Sequence, residues 1–201
     1  MKQSESPIDM PAGGPDYAKK PARPQGPSGT VWHPPAWLPG RWRLVEGRPS
    51  DYKQVARWHY RAGPPATWCR VAAIRHERPG VPGDVVAALA VLSWPTICNR
   101  GRTLAFDLKG ISYRERMRWG NEHVRTISRV IVRPGYRGAG LAMAVVRELV
   151  RTCPSPFVES TAAMGAFHPM FERCGFRRVE VPGHAPYFWR SSASTSGSVS
   201  A

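Results

Sequence analysis

The chain of 201 residues has room for one ordinary domain and two tails, and its formal charge of +15 biases it toward polyanions. Cysteines at 69, 98, 153 and 174 form no Cys-x-x-Cys pair, which excludes a zinc finger or a disulfide framework, and no metal site is expected. No apolar run reaches the length of a transmembrane helix, and the first thirty residues lack the apolar centre of a signal peptide, so a cytoplasmic protein without membrane contact is expected.

Residues 1–50 hold ten prolines and six glycines with few aliphatic side chains, too little apolar surface to offset the entropy of ordering. Residues 1–40 therefore read as a disordered arm, 41–190 as the folded domain and 191–201 as a disordered Ser-rich tail. Trp32, Trp37, Leu38 and Trp42 are apolar groups able to dock the end of the arm. Ser50 to Tyr60 predicts a helix with Tyr52, Val55, Ala56 and His59 toward one side. Trp68–Arg75 and Val85–Trp94 predict two antiparallel strands joined by a Pro/Gly turn at 79–83. A basic, helical stretch follows near Ile111–Asn121. Arg100, Arg102, Lys109, Arg114, Arg116 and Arg118 form the densest basic run, and residues 51–190 carry twenty-two basic against ten acidic side chains. Such an excess inside the domain suits nucleic acid, an acidic protein or the phosphates of a cofactor.

The most informative segment is Ile127 to Ala142. Its first six residues are rich in β-branched side chains and read as a buried strand that Pro134 and Gly135 stop. Leu141, Val145, Leu149 and Cys153 then recur every four residues, the spacing of one helix face. Gly138 and Gly140 sit where strand becomes helix, so first-turn N–H groups can approach a ligand closely. Arg137 adds a positive charge, and the combination suits a pyrophosphate. No Gly-Lys-Ser/Thr triplet makes a P-loop, and Met143 stands where a dinucleotide fingerprint needs a third glycine. Phe157–Thr161 predicts a further strand, 167–174 a short helix ended by Gly175, and Arg177–Val181 and Tyr187–Arg190 two closing strands.

Arg137-x-x-Gly-x-Ala142 behind a Val-rich strand resembles the acetyl-CoA-binding motif of the GNAT acyltransferase superfamily. Phe171-Glu-Arg-Cys-Gly-Phe176 is similar to a second GNAT signature at the expected distance. The resemblance covers roughly residues 50–190. It implies an α/β fold, with a mixed, mostly antiparallel sheet flanked by helices, that transfers an acyl group from acetyl-CoA or another acyl-CoA to an amine. By resemblance, Arg137, Gly138, Ala139, Gly140, Leu141 and Ala142 bind the pyrophosphate. Val130, Ile131 and Val132 supply main-chain contacts to the pantetheine arm and carbonyl.

The sequence departs from the family at Phe171, where many members carry the tyrosine that protonates the thiolate. Tyr60, His59, His168 and Tyr136 are the other candidates for a proton donor. Glu159, a carboxylate inside an apolar strand, is either a general base or a paired structural group. The expectation is that Glu159, His59 and Tyr60 form one catalytic cluster. Trp58-His-Tyr-Arg-x-Gly-Pro64, Asn121-Glu-x-x-Arg-Thr-Ile-Ser-Arg-Val-Ile-Val132 and Val158-Glu-Ser-Thr-Ala-Ala-Met-Gly165 resemble a narrower group. It comprises GNAT-like domains found with ABC-type ATPases and, more distantly, phage Mom proteins that modify adenine in DNA. Two rival functions follow: Mom-like modification of a DNA base, and a catalytically silent GNAT-fold module that binds a partner or nucleic acid through its basic face.

Overall fold

The computed structural model describes residues 33, 34, 36–61 and 63–192. The expected arm lies mostly outside these residues, as does the tail from 193 onward. Strands β1 (Arg41–Glu46), β2 (Arg70–Glu77), β3 (Asp84–Ser93), β4 (Val124–Val132), β5 (Phe157–Thr161), β6 (Arg177–Val179) and β7 (Tyr187–Ser191) form one sheet in the order β1-β2-β3-β4-β5-β7-β6. Every neighbouring pair is antiparallel except β4 and β5. Helices α1 (Pro49–Val55), α2 (Arg100–Ala105), α3 (Tyr113–His123), α4 (Leu141–Arg151) and α5 (Met170–Arg173) flank it. The expected α/β architecture with a mixed, mostly antiparallel sheet is what forms.

The sheet has an apolar layer on each face. Helix α4 covers one, setting Leu141, Val145 and Leu149 against Ile74, Ala88, Ala90, Leu92, Ile127 and Val158. Each such buried side chain contributes roughly 1.5–3 kcal/mol. The helix stops at Arg151, so Cys153, expected on its stripe, lies beyond it. On the other face Tyr52 and Val55 of α1 pack with Val71, Ala73, Val86, Leu89, Val91 and Ile131. The helix expected over 50–60 ends early: α1 stops at Val55 and a 3-10 turn, Ala56–Trp58, carries the chain on.

Two elements were not expected. Strand β1 pairs with β2 from Arg41↔Glu77 to Glu46↔Ala72. Helix α2 lies against β7, where Gly101 touches Tyr187 so closely that an added Cβ would sit 2.3 Å from the Tyr187 Cβ. Helix α3 matches expectation and opens on a capping box, Ser112 with Glu115.

Strand β4 carries a bulge. Val91 faces Arg129 and Leu92 faces Ile127, so Ser128 is the extra residue. Ile127 packs on the α4 side, and so do Val130 and Val132, although an unbroken alternation would separate odd from even positions.

Candidate active site

The site is built where β4 ends. Pro134–Tyr136 form one 3-10 turn, Arg137 is extended, and Gly138 and Gly140 take φ of +82° and +73°. Those angles favour glycine and fix the path of the chain into α4. An added Cβ at Gly138 would meet nothing within 4 Å, and one at Gly140 only Met143 Cε at 4.0 Å. The glycines therefore line open space. The first α4 bond runs from the Ala144 N–H to the Gly140 carbonyl at 3.2 Å, leaving the N–H groups of Leu141, Ala142 and Met143 ahead of the ladder. No acidic residue occupies the first turn, and the side chain of exposed Arg137 has no hydrogen-bond or ion-pair partner among the described residues, its backbone N–H alone donating to the Pro134 carbonyl. Open donors, a helix N-terminus and an uncommitted guanidinium fit a pyrophosphate.

Beside this turn the sheet parts. β4 and β5 are paired only over Val124↔Phe157, Arg125↔Val158 and Thr126↔Glu159. The Ser160 hydroxyl donates to the Ile127 carbonyl at 3.1 Å just past the last pair. On its other edge β4 stays bonded to β3, and the Arg133 N–H donates to the Ala87 carbonyl at 2.9 Å. Antiparallel alternation from that bond turns the main chain of Ile131 and Arg129 to β3 and that of Val130 and Val132 into the cleft. This corrects the expectation for Ile131: its main chain belongs to the ladder and its side chain to the α1-side core.

On that same α1 side the 3-10 turn Ala56–Trp58 rests on β4. Arg133 lies over the Trp58 ring at 4.8 Å, and Arg129 donates to the Gly63 and Pro64 carbonyls at 3.4 Å each. His59 is half-buried and Tyr60 is 64 % exposed, with ring centroids 4.5 Å apart. Nδ1 of His59 lies 3.1 Å from the Arg61 N–H, a donor to the neutral ring, and 3.3 Å from the Arg61 carbonyl, an acceptor for the protonated one. Burial, aided by the charges of Arg129 and Arg61, holds the His59 pKa below its ordinary value against the opposing backbone hydrogen bond. A cavity of about 260 Å³ opens on the insertion between β3 and β4, lined among others by Ile97, Asn99, Arg102, Tyr113 and Arg116.

Glu159 is not brought to His59 and Tyr60. It is fully buried, and Arg102 donates to both carboxylate oxygens, from Nε at 2.8 Å and from Nη2 at 2.6 Å. The Thr126 hydroxyl donates to it at 2.7 Å and the Tyr187 hydroxyl at 2.7 Å. The expected three-residue catalytic cluster is thus replaced by a closed network of Glu159, Arg102, Thr126 and Tyr187. Burial opposes the Arg102 charge, but the Glu159 hydrogen bond and charge outweigh it and raise its pKa. Burial and the same carboxylate push the Tyr187 phenol far above its usual range.

Of the other proton-donor candidates, Tyr136 is buried with its hydroxyl on His76 Nδ1 at 3.0 Å, and His168 is exposed. Phe171 is core, stacked on Phe188 at 5.1 Å. Arg102, Thr126, Tyr187 and His76 were missed. His76 stands between Arg75 and Glu77 at the end of β2, where nothing local marks it. Among the described residues no three His, Cys, Asp or Glu side chains gather to hold a metal ion, and no helix is long and apolar enough to cross a membrane.

No protein-family model and no curated protein matches the chain. Among solved structures it is similar to Arabidopsis thaliana NAA60 in complex with acetyl-CoA, at 15% identity and a TM-score of 0.49 over 74% of this chain and 97% of that one. It is similar to the GNAT-family N-acetyltransferase YhbS of Escherichia coli with CoA, at 13% identity and a TM-score of 0.49 over 77% and 83% of the two chains. The E. coli ribosomal-protein-S18-alanine N-acetyltransferase aligns at 13% identity and a TM-score of 0.43 over 74% and 91%. At such values the reading of this chain rests on its own residues.

Proposed function

We propose that the chain is a GNAT-fold N-acyltransferase that moves an acyl group from acetyl-CoA or another acyl-CoA to an amine. One observation carries this reading: β4 parts from its only parallel neighbour directly ahead of an open glycine turn and a helix N-terminus free of acids. Arg137, Gly138, Ala139, Gly140, Leu141 and Ala142 hold the pyrophosphate. The cleft-facing main chain of Val130 and Val132 holds the pantetheine arm and polarises the thioester carbonyl.

The bound acyl-CoA supplies the activated acyl carbon. The amine nitrogen attacks that carbon, the C–S bond breaks, and the proton leaving nitrogen matches the one the thiolate gains. His59 and Tyr60 stand on the α1 side of β4, where they orient the acceptor and carry that proton. Glu159 keeps no free lone pair for such a step, and we assign it to the architecture of the insertion. The test is calorimetry with CoA on Gly140→Glu. The variant adds a negative charge to open space, at a backbone cost of about 1–2 kcal/mol for a left-handed residue. Loss of CoA binding with the fold retained is expected, and unchanged affinity overturns the reading.

A second reading concerns the acceptor. Arg114 and Arg118 are exposed on α3, and Arg57, Trp58, His59, Tyr60 and Arg61 set basic groups among aromatic rings beside β4. This favours a nucleic-acid acceptor, as in Mom-like base modification. If so, affinity for duplex DNA falls as salt rises, with a log–log slope of about −0.9 per neutralised phosphate. Reversing Arg114 and Arg118 to Glu would flatten that slope. Binding that ignores salt excludes this acceptor and leaves the acyl-CoA reading standing.

A further inference from the structure

The cofactor turn is held to the domain by few side chains, with Ala139 only partly buried against the α4-side core. Between Arg133 and Gly140 only Tyr136 is buried, at 7 % exposure, while Pro134, Gly135, Arg137 and Gly138 are exposed. Two glycines in that stretch give the unliganded backbone more conformations to lose on binding than other residues would. What holds Tyr136 therefore governs how far the turn is formed before a ligand arrives.

Tyr136 is held by a chain of hydrogen bonds that ends in the N-terminal segment. Its hydroxyl lies 3.0 Å from Nδ1 of His76, which is 1 % exposed, and Nε2 of that ring lies 3.0 Å from the Pro39 carbonyl. A carbonyl can only accept, so Nε2 carries a proton, and both ring nitrogens have a partner, Pro39 at one end and the Tyr136 hydroxyl at the other. Trp42 stacks on the His76 ring with centroids 3.9 Å apart and an interplanar angle of 10°, and meets Tyr136 edge-on at 5.8 Å. The Trp42 indole N–H donates in turn to the Leu38 carbonyl at 3.3 Å.

The segment is shaped for this meeting. Gly40 has φ +133°, and an added Cβ there would lie 2.4 Å from His76 Nε2 and 2.4 Å from the Glu77 carbonyl. Only glycine lets Pro39 approach the ring.

We infer that His76, clamped by Pro39–Trp42, is a positioning residue that pre-forms the Arg137–Ala142 turn through the Tyr136 hydroxyl. The inference rests on the acyl-CoA reading above. Pre-formation raises affinity by removing an ordering cost from the binding step.

The experiment compares wild type, Tyr136→Phe and Trp42→Leu by CoA calorimetry and by amide hydrogen exchange over residues 137–140. Tyr136→Phe keeps the ring and removes the hydroxyl. Trp42→Leu removes the stack and leaves His76 and Tyr136 bonded, at the cost of the bond to the half-buried Leu38 carbonyl, and serves if the first variant does not fold. Tyr136→Phe is expected to weaken CoA about tenfold and to speed exchange in the turn, while Trp42→Leu gives a smaller change of the same sign. Wild-type affinity together with wild-type exchange in both variants overturns the inference. If wild type itself binds no CoA, the acyl-CoA reading fails, and exchange in the turn still decides whether His76 positions it. Faster exchange supports the anchor and unchanged exchange refutes it.

Discussion

Two charged regions of this protein differ in what their polar groups have left to offer. At Glu159 each acceptor site of the carboxylate is taken by Arg102, Thr126 or Tyr187, and the residue has no exposed surface. At the Arg137–Ala142 turn the situation is reversed, with an exposed guanidinium, helix N–H groups ahead of the ladder and open space over two glycines. Polar atoms already saturated inside the fold define its shape, whereas those left unsatisfied at a surface are available to a ligand. The residue that looked most catalytic by its type belongs to the first kind.

The largest effect should come from opening the closed region. Arg102→Ala strands a buried carboxylate, and removing one partner of such a pair typically costs about 3–5 kcal/mol. Urea unfolding should show a loss on that scale, and CoA affinity at the Arg137–Ala142 turn should hold at concentrations of urea where the variant is folded. A cost near zero would mean that water reaches Glu159 and that the closed/open contrast is false.

A smaller effect should appear at His59, which is neither closed nor fully open. Its folded pKa lies below the ordinary 6.5 because burial disfavours the charged ring. The unfolded chain thus binds more protons than the native one as pH falls through 6.5. This contribution to stability is full above that pH and lost on acidification. A proton NMR titration of the native protein should place the His59 midpoint below 6.5. A midpoint above it would indicate an undetected acidic neighbour and return a carboxylate to the acceptor side.

What was legible in the sequence was local. The strand over 127–132, the glycine turn and the helix after it announce themselves by β-branched residues, by Gly138 and Gly140, and by a four-residue apolar spacing, although β4 begins earlier, at Val124, and α4 stops at Arg151. Strand β1 was hidden because Arg41 and Arg43 alternate with Trp42 and Leu44 on a half-buried edge that reads as the end of a polar arm. Helix α2 was hidden because Gly101 is a poor helix former whose place is decided by contact with Tyr187. Glu159 was flagged correctly as unusual, but its role hinged on a partner 57 positions away among 24 arginines. Nothing local distinguishes Arg102 from the rest. His76 was silent for the same reason, since its meaning depends on Pro39 and Tyr136 together.

The extra residue in β4 has a consequence for how that strand is read. Thr126 and Ile127 follow one phase of in-and-out alternation, while Arg129 to Val132 follow the opposite one, and Ser128 absorbs the offset by bonding to Ser93 at 2.6 Å. The amino-terminal half is thereby free to serve β5 and the buried network, and the carboxyl-terminal half to serve the cleft. Remove one residue at the junction and the downstream valines would exchange sides with Ile131, sending the wrong amides into the gap. One strand thus runs in two frames, and a single serine keeps them from interfering.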